Sequence, residues 1–317
     1  MSLNRGWFES MGSVVAIGAL SLLYAIGHRQ GAHPIAFILY AMLASSLGMV
    51  TLAGLGPNAA AIARHPLSWV VGGSIILIEV FYYVTLMYVP PAQGSLIVRI
   101  GVPIAMIAGW LFFRRKPPAL ACAGAVVIVA AIAFVILLTP PAARWPMSIA
   151  GVLAATLLVV RGFASEFHPW NRAAKTVREK LSLTGIVVLI TSVIGLAGVA
   201  VLAAAISAGV LPPLSFVPNA SAMLDVPTIL LGSLAGGAVL TVMAYLSFSS
   251  VVKIGTQNIT GMLAFTPLSS WAFQELGVAL GLIDVARPEP SLLAAMTVIV
   301  VAVLLIFWSG RRARRAG

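Results

Sequence analysis

The stretch AQGSLIVRIGVPIAMIAGWLFF, residues 92–113, decides how this sequence folds, because it is long and apolar enough to cross a bilayer yet contains Arg99 and Pro103. An arginine at the centre of a hydrocarbon layer costs about 2.5 to 3.5 kcal/mol on insertion scales, so the protein must supply a partner or a water-filled cavity. A second apolar segment, 256–281, repeats the pattern with Pro267 inside it. We interpret the two segments as matching helices of two halves that enclose one central site.

The composition indicates the class of protein. Of the 317 residues, 61% are hydrophobic and 9% are charged, and the mean hydropathy is +1.07. So few polar side chains cannot cover a water-soluble globule, and the sequence therefore predicts an all-α integral membrane protein. The net charge of +11 fits basic residues placed beside anionic headgroups at helix ends, and we expect no nucleic-acid partner.

Ten apolar runs follow one another along the chain, each about the 20 residues that a helix needs to cross the hydrocarbon layer. Prolines and glycines separate nearly all of them, as turns between membrane helices require. The predicted transmembrane helices cover residues 11–27, 34–54, 68–88, 92–113, 119–138, 147–165, 183–209, 228–250, 256–281 and 291–309.

The lysine and arginine residues predict how the chain is oriented. If the N-terminus is cytoplasmic, fourteen of the nineteen lie on the inner side, whereas the outer loops hold only Arg29, Arg144 and Arg287. The remaining two, Arg99 and Arg161, lie within predicted spans. This bias predicts an even number of spans with both termini cytoplasmic. We expect a multi-pass protein of the cell membrane, with a bacterial inner membrane as the favoured location.

A weak internal symmetry divides the chain into two halves. A shift of 164 residues aligns segment 81–103 with segment 245–267, and both segments read as the end of a span, a tight turn, and a span with proline at the same place. Five spans per half give the halves opposite orientations in the membrane, which is the inverted repeat of many carriers. We therefore expect a first five-helix repeat in residues 1–140 and a second in residues 141–317.

Three features of the sequence are shared with a known family. The turn between the third and fourth spans of each half is short, and reads YVPPAQGSL from Tyr88 in the first half and SVVKIGTQN from Ser250 in the second. The fourth span of each half contains a proline, and the span that closes the first half, LACAGAVVIVAAIAFVIL, contains a glycine. In these features the chain resembles the ten-helix carriers of EamA type in the drug/metabolite transporter superfamily. The resemblance implies a substrate cavity between the halves, lined mainly by spans one, three, four, six, eight and nine.

Several motifs of catalysis and of cofactor binding are missing from the sequence. No lysine follows a glycine, so the chain has no phosphate-binding Gly-Lys-Ser/Thr loop and no ATP-driven motor. The only aspartates, Asp225 and Asp284, lie in predicted outer loops, and the four histidines never have metal-ligand spacing. We therefore expect no enzymatic activity, no cofactor and no metal site.

Two ionisable residues lie at similar predicted depths in neighbouring spans. Glu79 is about nine residues from the outer end of span three and Arg99 is seven residues from the outer end of span four, so their depths agree within a few ångströms. We expect a salt bridge between them across the tight turn. Such a pair either stabilises the helix bundle or belongs to a binding site.

Other candidate residues lie on spans three, six and nine. Trp271 and Glu275 are four residues apart and hence on one helix face, which either lines the cavity or carries the carboxylate to water at the outer interface. Tyr82 and Tyr83 in span three can offer aromatic contacts. Arg161 lies four residues from the inner end of span six, so we expect it to reach the headgroups.

These residues predict a secondary transporter of small organic metabolites that works by alternating access between the two halves. In this interpretation Arg99 binds a carboxylate or another anionic group, and amino acids or other carboxylate-bearing amphipathic solutes are the leading substrates. The apolar part of the solute would contact Trp271, Tyr82 or Tyr83. Either of the two embedded glutamates could couple transport to protons if it is kept in a dry cavity.

Two other classes of protein stay open. One is a lipid-head-group flippase, and the other is a non-transporting accessory subunit that positions another membrane protein. A lateral opening toward lipid beside Arg99 would favour the flippase, whereas a closed, solute-sized cavity would favour the carrier. Besides the solute, the expected partners are membrane lipids. The sequence leaves open the direction of transport, the coupling ion and the oligomeric state, including a homodimer.

Overall fold

The computed structural model describes residues 2–212, 214 and 216–316, with the backbone alone for residues 2, 3, 256, 257, 260 and 310–316. The described residues form helices joined by turns, without any β-strand among them. The long helices are α1 (Ser2–Arg29), α2 (Pro34–Ala53), α3 (Pro66–Leu86), α4 (Pro91–Phe113), α5 (Ala119–Leu138), α6 (Pro141–Phe167), α7 (Val177–Ser207), α8 (Val226–Ile254), α9 (256–279) and α10 (Pro290–Ala316). Short helices at Ala59–Arg64, Pro169–Ala173 and Ala220–Met223 lie in the connections.

Nine of these described helices, all except α9, are long and apolar enough to cross a membrane. The prediction of an all-α, multi-pass membrane protein is confirmed at this level. Helix α9 comprises α-helical Thr256–Met262, a 3-10 turn at Leu263–Phe265 and α-helical Thr266–Ala279. It differs from the other nine because it is less apolar, and Gln274 and Glu275 are among its polar residues. A tenth span therefore stays a prediction.

Several helices extend beyond the apolar runs from which they were predicted. Helix α1 begins at Ser2 instead of residue 11, and α6 begins at Pro141 instead of residue 147, because proline is favoured at the first helical position. Helix α7 begins at Val177 instead of residue 183. There Thr176 and Glu179 form a capping box, in which each side chain accepts a hydrogen bond from the backbone N–H of the other, and this fixes the start of α7 before its apolar part.

Three of the long helices change their hydrogen-bonding pattern locally. A 3-10 turn interrupts α4 at Val98–Ile100, and another interrupts α9 at Leu263–Phe265. Pro103 and Pro267 follow these turns closely, and a proline favours such a break because it donates no N–H and crowds the carbonyl four residues before it. In α8, residues Ala235–Leu240 form a π-helical turn.

The helices pack in pairs around two main apolar clusters. Helix α2 packs against α7, α3 against α6, α5 against α10, and α1 against both α8 and α9. One apolar cluster includes Tyr24 and Phe37 between α1, α2, α3 and α7, and the other includes Leu96 between α4, α5 and α10. The π turn of α8 lies against α2, where a Cβ atom at Gly236 would be 1.7 Å from the carbonyl oxygen of Ala41. Only glycine allows so close an approach.

The two ends of the helix bundle are distinguished by the chain direction. The face at which α1 begins, α2 ends and α3 begins is called the N face below, and the other is called the opposite face.

Candidate functional site

A group of polar side chains from five helices meets in the interior of the bundle. Its members are connected by hydrogen bonds or lie close enough for electrostatic interaction, and they are called the central polar cluster. The cluster comprises Ser21 and Tyr24 from α1, Glu79 and Tyr82 from α3, Arg99 from α4, Arg161 from α6 and Ser270 from α9. These helices are among those that the family resemblance implied for a substrate cavity.

The carboxylate of Glu79 is held by a tyrosine of the neighbouring helix. The hydroxyl of Tyr24 donates to Oε2 of Glu79 at 2.7 Å. The Tyr24 ring is fully buried and fixed by edge contact with Phe37 and by Tyr83, at centroid distances of 5.6 and 5.4 Å. Glu79 is only half-buried, and a carboxylate has about four acceptor positions. The carboxylate therefore keeps acceptor capacity toward the space inside the bundle.

Tyr82 connects three helices at the centre of the cluster. Its hydroxyl lies 2.8 Å from Oγ of Ser21, and Oγ of Ser21 lies 3.3 Å from Oγ of Ser270. All three side chains are buried. Tyr82 also lies close enough to both Arg99 and Glu79 for electrostatic interaction. The hydroxyl groups of Ser21, Tyr82 and Ser270 thus link α1, α3 and α9, and Tyr82 is the member that interacts with both Arg99 and Glu79.

The guanidinium of Arg99 lies between α4 and α9. Its Nη1 donates to the carbonyl of Leu263 at 3.1 Å, and its Nε donates to the carbonyl of Ser95 at 3.4 Å. The side chain is half-buried, and none of the ion pairs in the described part of the chain includes it. A guanidinium has five N–H donors, and the two backbone carbonyls leave the charge itself without a counter-ion.

The predicted salt bridge between Glu79 and Arg99 does not form. Glu79 instead accepts a hydrogen bond from Tyr24, and Arg99 donates to the backbone carbonyls of Leu263 and Ser95. None of the ion pairs among the described residues includes either side chain. Similar depths in neighbouring spans were therefore not sufficient to predict the partners of these two groups.

Arg161 lies inside the bundle, contrary to the expectation that it would reach the headgroups. Its side chain is half-buried and interacts electrostatically with Glu79 across the interface between α3 and α6. Because α6 runs toward the N face, Arg161 is on the far side of Glu79 from Arg99. One carboxylate thus stands between two arginines along the depth of the bundle.

Trp271 and Glu275 share one helix face, as predicted, but they do not join the central polar cluster. Nε1 of Trp271 donates to Oε1 of Glu275 at 3.1 Å. The other carboxylate oxygen, Oε2, lies 3.9 Å from Nε of Arg287, whose side chain is 90% exposed. Trp271 is half-buried and packs against the apolar cluster of α4, α5 and α10. The carboxylate of Glu275 therefore reaches the surface, while Trp271 fills the space between helices.

Tyr83 lies in the apolar core rather than in the cluster. Its ring has no exposed surface and packs against Phe37 and Tyr24, at centroid distances of 5.2 and 5.4 Å. Its hydroxyl donates to the carbonyl of Ala32 at 3.3 Å. In this conformation Tyr83 has no free surface to offer a solute.

Sequence reasoning missed Ser21, Tyr24, Ser270 and Gln274. Gln274 is 1% exposed, and its Oε1 accepts a hydrogen bond from the backbone N–H of Ala92, which joins α9 to the start of α4. One signal was present in the sequence: Ser21 and Tyr24 are three residues apart, and Ser270 and Gln274 are four apart, so each pair lies on one helix face.

Two cavities open at the two faces of the bundle. One of about 470 Å³ lies at the opposite face, between the end of α1, the α3–α4 turn and residues 283–286, and includes His28, Arg29 and Asp284 in its lining. The other, of about 350 Å³, lies at the N face between the end of α2, the start of α7 and the Pro169–Ala173 helix. Both are lined by residues other than the central polar cluster.

Polar contacts tie α1 to the second half of the chain at both faces. At the N face, Nζ of Lys253 in α8 donates to Oε2 of Glu9 at 2.6 Å. At the opposite face, Nη1 of Arg29 donates to the carbonyl of Gly281, just after α9, at 2.6 Å. The start of α1 is thus hydrogen-bonded to α8, and its end is hydrogen-bonded to the turn that follows α9.

A buried histidine lies at the N face, outside the cluster. His168, between α6 and the following short helix, is 2% exposed, and its Nε2 lies 2.9 Å from Oγ of Ser68. Its ring contacts those of His65 and Trp170. Burial lowers the pKa of His168 below its usual 6.5, and the neighbouring His65 lowers this pKa further.

Comparison with known proteins shows the fold alone. No family model and no curated protein matches the sequence. Among solved structures, 22 chains are similar, and one, described only as "Crystal structure of protein", matches with a TM-score of 0.58 and 17% sequence identity over 96% of this chain and 96% of its own. The fold and the interior charges together define the class as a multi-pass helical membrane protein with a polar cluster inside the bundle.

Proposed function

We propose that this protein is a secondary carrier of small organic solutes that bear an anionic group, and that it works by alternating access. The proposal takes the chain as ten spans with both termini cytoplasmic, in which residues 1–140 and 141–317 form inverted repeats. The N face is then the cytoplasmic side. The central polar cluster is the site through which the solute passes, consistent with the resemblance to carriers of EamA type.

The observation that carries the proposal is the unneutralised guanidinium of Arg99. A charge inside a membrane protein normally finds a partner or a water-filled path, and such residues mark the routes of substrates and ions. Arg99 uses two of its donors on backbone carbonyls. Its remaining N–H groups suit a carboxylate or phosphate, which a guanidinium binds through two parallel hydrogen bonds.

The neighbourhood of Arg99 favours a carrier over a flippase. Helix α9 lies on one side of it, where Leu263 accepts its hydrogen bond, and α6 lies on another, where Gly101 approaches the carbonyl of Ala155. A flippase would need Arg99 to face lipid through a gap between helices. The central polar cluster also joins helices from both proposed halves, as a carrier that rocks between two states requires.

Counterflow in proteoliposomes tests the proposal with two probes of similar size and opposite charge. Both contain a phenyl ring with a short side chain, which ends in a carboxylate in phenylacetate and in an ammonium in phenethylamine. We expect the purified protein to accelerate exchange of phenylacetate above the rate in empty liposomes, and to leave phenethylamine exchange at that background. The Arg99→Ala variant should lose the phenylacetate exchange, and Arg99→Lys should restore little of it, because an ammonium lacks the two-donor geometry.

The matched control is Arg144→Ala, which removes an arginine outside the cluster. Arg144 donates to the carbonyls of Thr139 and Leu137 near the start of α6, so its loss should leave exchange intact. Background exchange of phenylacetate by the wild-type protein, or equal exchange by wild type and Arg99→Ala, would contradict the proposal. Phospholipid scrambling without solute exchange would instead support the flippase.

A further inference from the structure

We infer that Pro267 is a positioning residue, which orients the guanidinium of Arg99 from the other half of the chain. The inference deepens the proposed function and rests on it, because it assigns to Arg99 the role of binding the anionic group. Pro267 does not touch the solute in this scheme. It acts through the backbone carbonyl of Leu263, to which Arg99 donates.

The carbonyl of Leu263 is available because of a proline. In an α-helix the carbonyl of residue i accepts a hydrogen bond from the N–H of residue i+4, and for Leu263 that residue is Pro267, which has no N–H. The helix narrows to a 3-10 turn at Leu263–Phe265. The carbonyl accepts the 3-10 hydrogen bond from the backbone N–H of Thr266, and in the place of the missing α-helical donor it accepts from Oγ1 of Thr266 at 2.9 Å and from Nη1 of Arg99 at 3.1 Å.

The hydrogen bond to Leu263 fixes the plane of the guanidinium. Nη1 is tied to α9 and Nε is tied to the carbonyl of Ser95 in α4. Because the guanidinium is planar, two anchors in different helices determine where its remaining N–H groups point. A single anchor within α4 would leave the group free to turn about its own chain.

The register of the two halves is consistent with this role. Leu263 follows Arg99 by 164 residues, the same shift that aligns Pro103 with Pro267. Two positions that a twofold repeat makes equivalent can contact each other only beside the axis that relates them. Arg99 therefore lies where the proposed halves meet, and its orientation depends on α9 as well as on α4.

The Pro267→Ala variant tests the inference, and Pro103→Ala is its matched control. Alanine at 267 supplies the N–H that α-helical geometry directs at the carbonyl of Leu263, so it competes with Arg99. Alanine at 103 supplies an N–H directed at the carbonyl of Arg99 itself, so it restores helix in α4 without competing for the guanidinium. Thr266→Val is a second variant, which removes only the hydroxyl donor to the Leu263 carbonyl and keeps both the backbone N–H of residue 266 and Pro267.

Two readouts separate positioning from a general disturbance of the fold. The first is the rate at which phenylglyoxal modifies Arg99 in the purified full-length protein, measured by mass spectrometry of the peptide that contains it. The second is the split of KM and kcat for phenylacetate exchange. Loss of the hydrogen bond that orients the charged group should raise KM roughly tenfold, with a smaller change in kcat.

We expect Pro267→Ala to speed modification of Arg99 and raise KM, while Pro103→Ala and Thr266→Val stay close to wild type in both. Equal changes in all three variants, or no change in Pro267→Ala, would overturn the inference. Absence of phenylacetate exchange by the wild-type protein would refute the proposed function. In that case the modification rates still decide whether Pro267 orients Arg99.

Discussion

Replacing Tyr24 with phenylalanine measures the strength of the bond that holds the Glu79 carboxylate. The substitution removes one hydroxyl and leaves the ring contacts with Phe37 and Tyr83 in place. Hydrogen bonds between neutral groups of membrane helices contribute about 0.6 kcal/mol on average, whereas bonds to a charged group contribute about 1.5 to 3 kcal/mol. The Tyr24–Glu79 distance of 2.7 Å suits a neutral as well as an ionised acceptor, and we expect Glu79 to be ionised. We therefore expect Tyr24→Phe to lower the free energy of unfolding by about 1.5 to 3 kcal/mol.

The neighbouring Tyr83 provides the control. Its hydroxyl donates to the neutral carbonyl of Ala32 at 3.3 Å, so Tyr83→Phe should lower the free energy of unfolding by about 0.6 kcal/mol. The measurement is unfolding of detergent-solubilised protein by increasing fractions of dodecyl sulfate, followed by circular dichroism. In a Glu79→Gln background the acceptor is neutral, and the effect of Tyr24→Phe should shrink to that of Tyr83→Phe.

Equal losses of stability for Tyr24→Phe and Tyr83→Phe would refute this reasoning. Such a result would mean that the Glu79 side chain carries no charge in the folded protein, or that its bond to Tyr24 gains nothing from the charge. A loss that is unchanged in the Glu79→Gln background would lead to the same conclusion.

Three further predictions concern the ends of the helices. Glu9 is paired with both Lys253 and Arg5. Lys253→Met removes the less exposed partner and should destabilise the protein by about 1.5 kcal/mol or more, while Arg5→Met, at a 72% exposed side chain, should change the stability by less than about 1 kcal/mol; similar values in dodecyl sulfate unfolding would contradict this. The pKa of His168 is lower in the folded protein than in the unfolded chain, so the unfolded chain takes up a proton first as the pH falls. The stability that neutral His168 contributes is therefore fully present above about pH 6.5 and is lost as the pH falls below that value. Melting temperatures between pH 7 and 5 should therefore decline, and His168→Asn should flatten the decline; an identical slope in that variant would disprove it. A reporter that is active only outside the cytoplasm should be silent when fused to the C-terminus, and an active fusion would invalidate the proposed orientation.

The long apolar runs predicted the helices well because membrane spans depend mainly on length and hydropathy. Nine of the ten runs became helices that are long and apolar enough to cross a membrane. Their ends were less predictable, since local hydrogen bonds such as the capping box of Thr176 and Glu179 extend a helix into polar sequence. Hydropathy carries no information about such caps.

The interior contacts were only partly predictable, because they depend on which neighbouring helix each side chain faces. Glu79 and Arg99 were both singled out as embedded charges, and both do lie in the interior. The partner of Glu79 is nevertheless a tyrosine from α1, which the depth of Glu79 in its own span does not indicate. The prediction that Arg161 reaches the headgroups was wrong for a related reason. The distance of a residue from the end of a helix does not tell which face of that helix meets its neighbours.

The π turn at Ala235–Leu240 allows the two parts of α8 to serve different neighbours. Gly236, within the turn, lies against Ala41 of α2, whereas Lys253, in the part of α8 that follows the turn, donates to Glu9 of α1. The hydrogen bonds of a π turn join residues five apart instead of four, so the turn holds one residue more than an α-helical turn, and each residue rotates a helix by about 100°. Deleting one residue from the turn would therefore swing the terminal part of α8 by that angle and carry Lys253 away from Glu9.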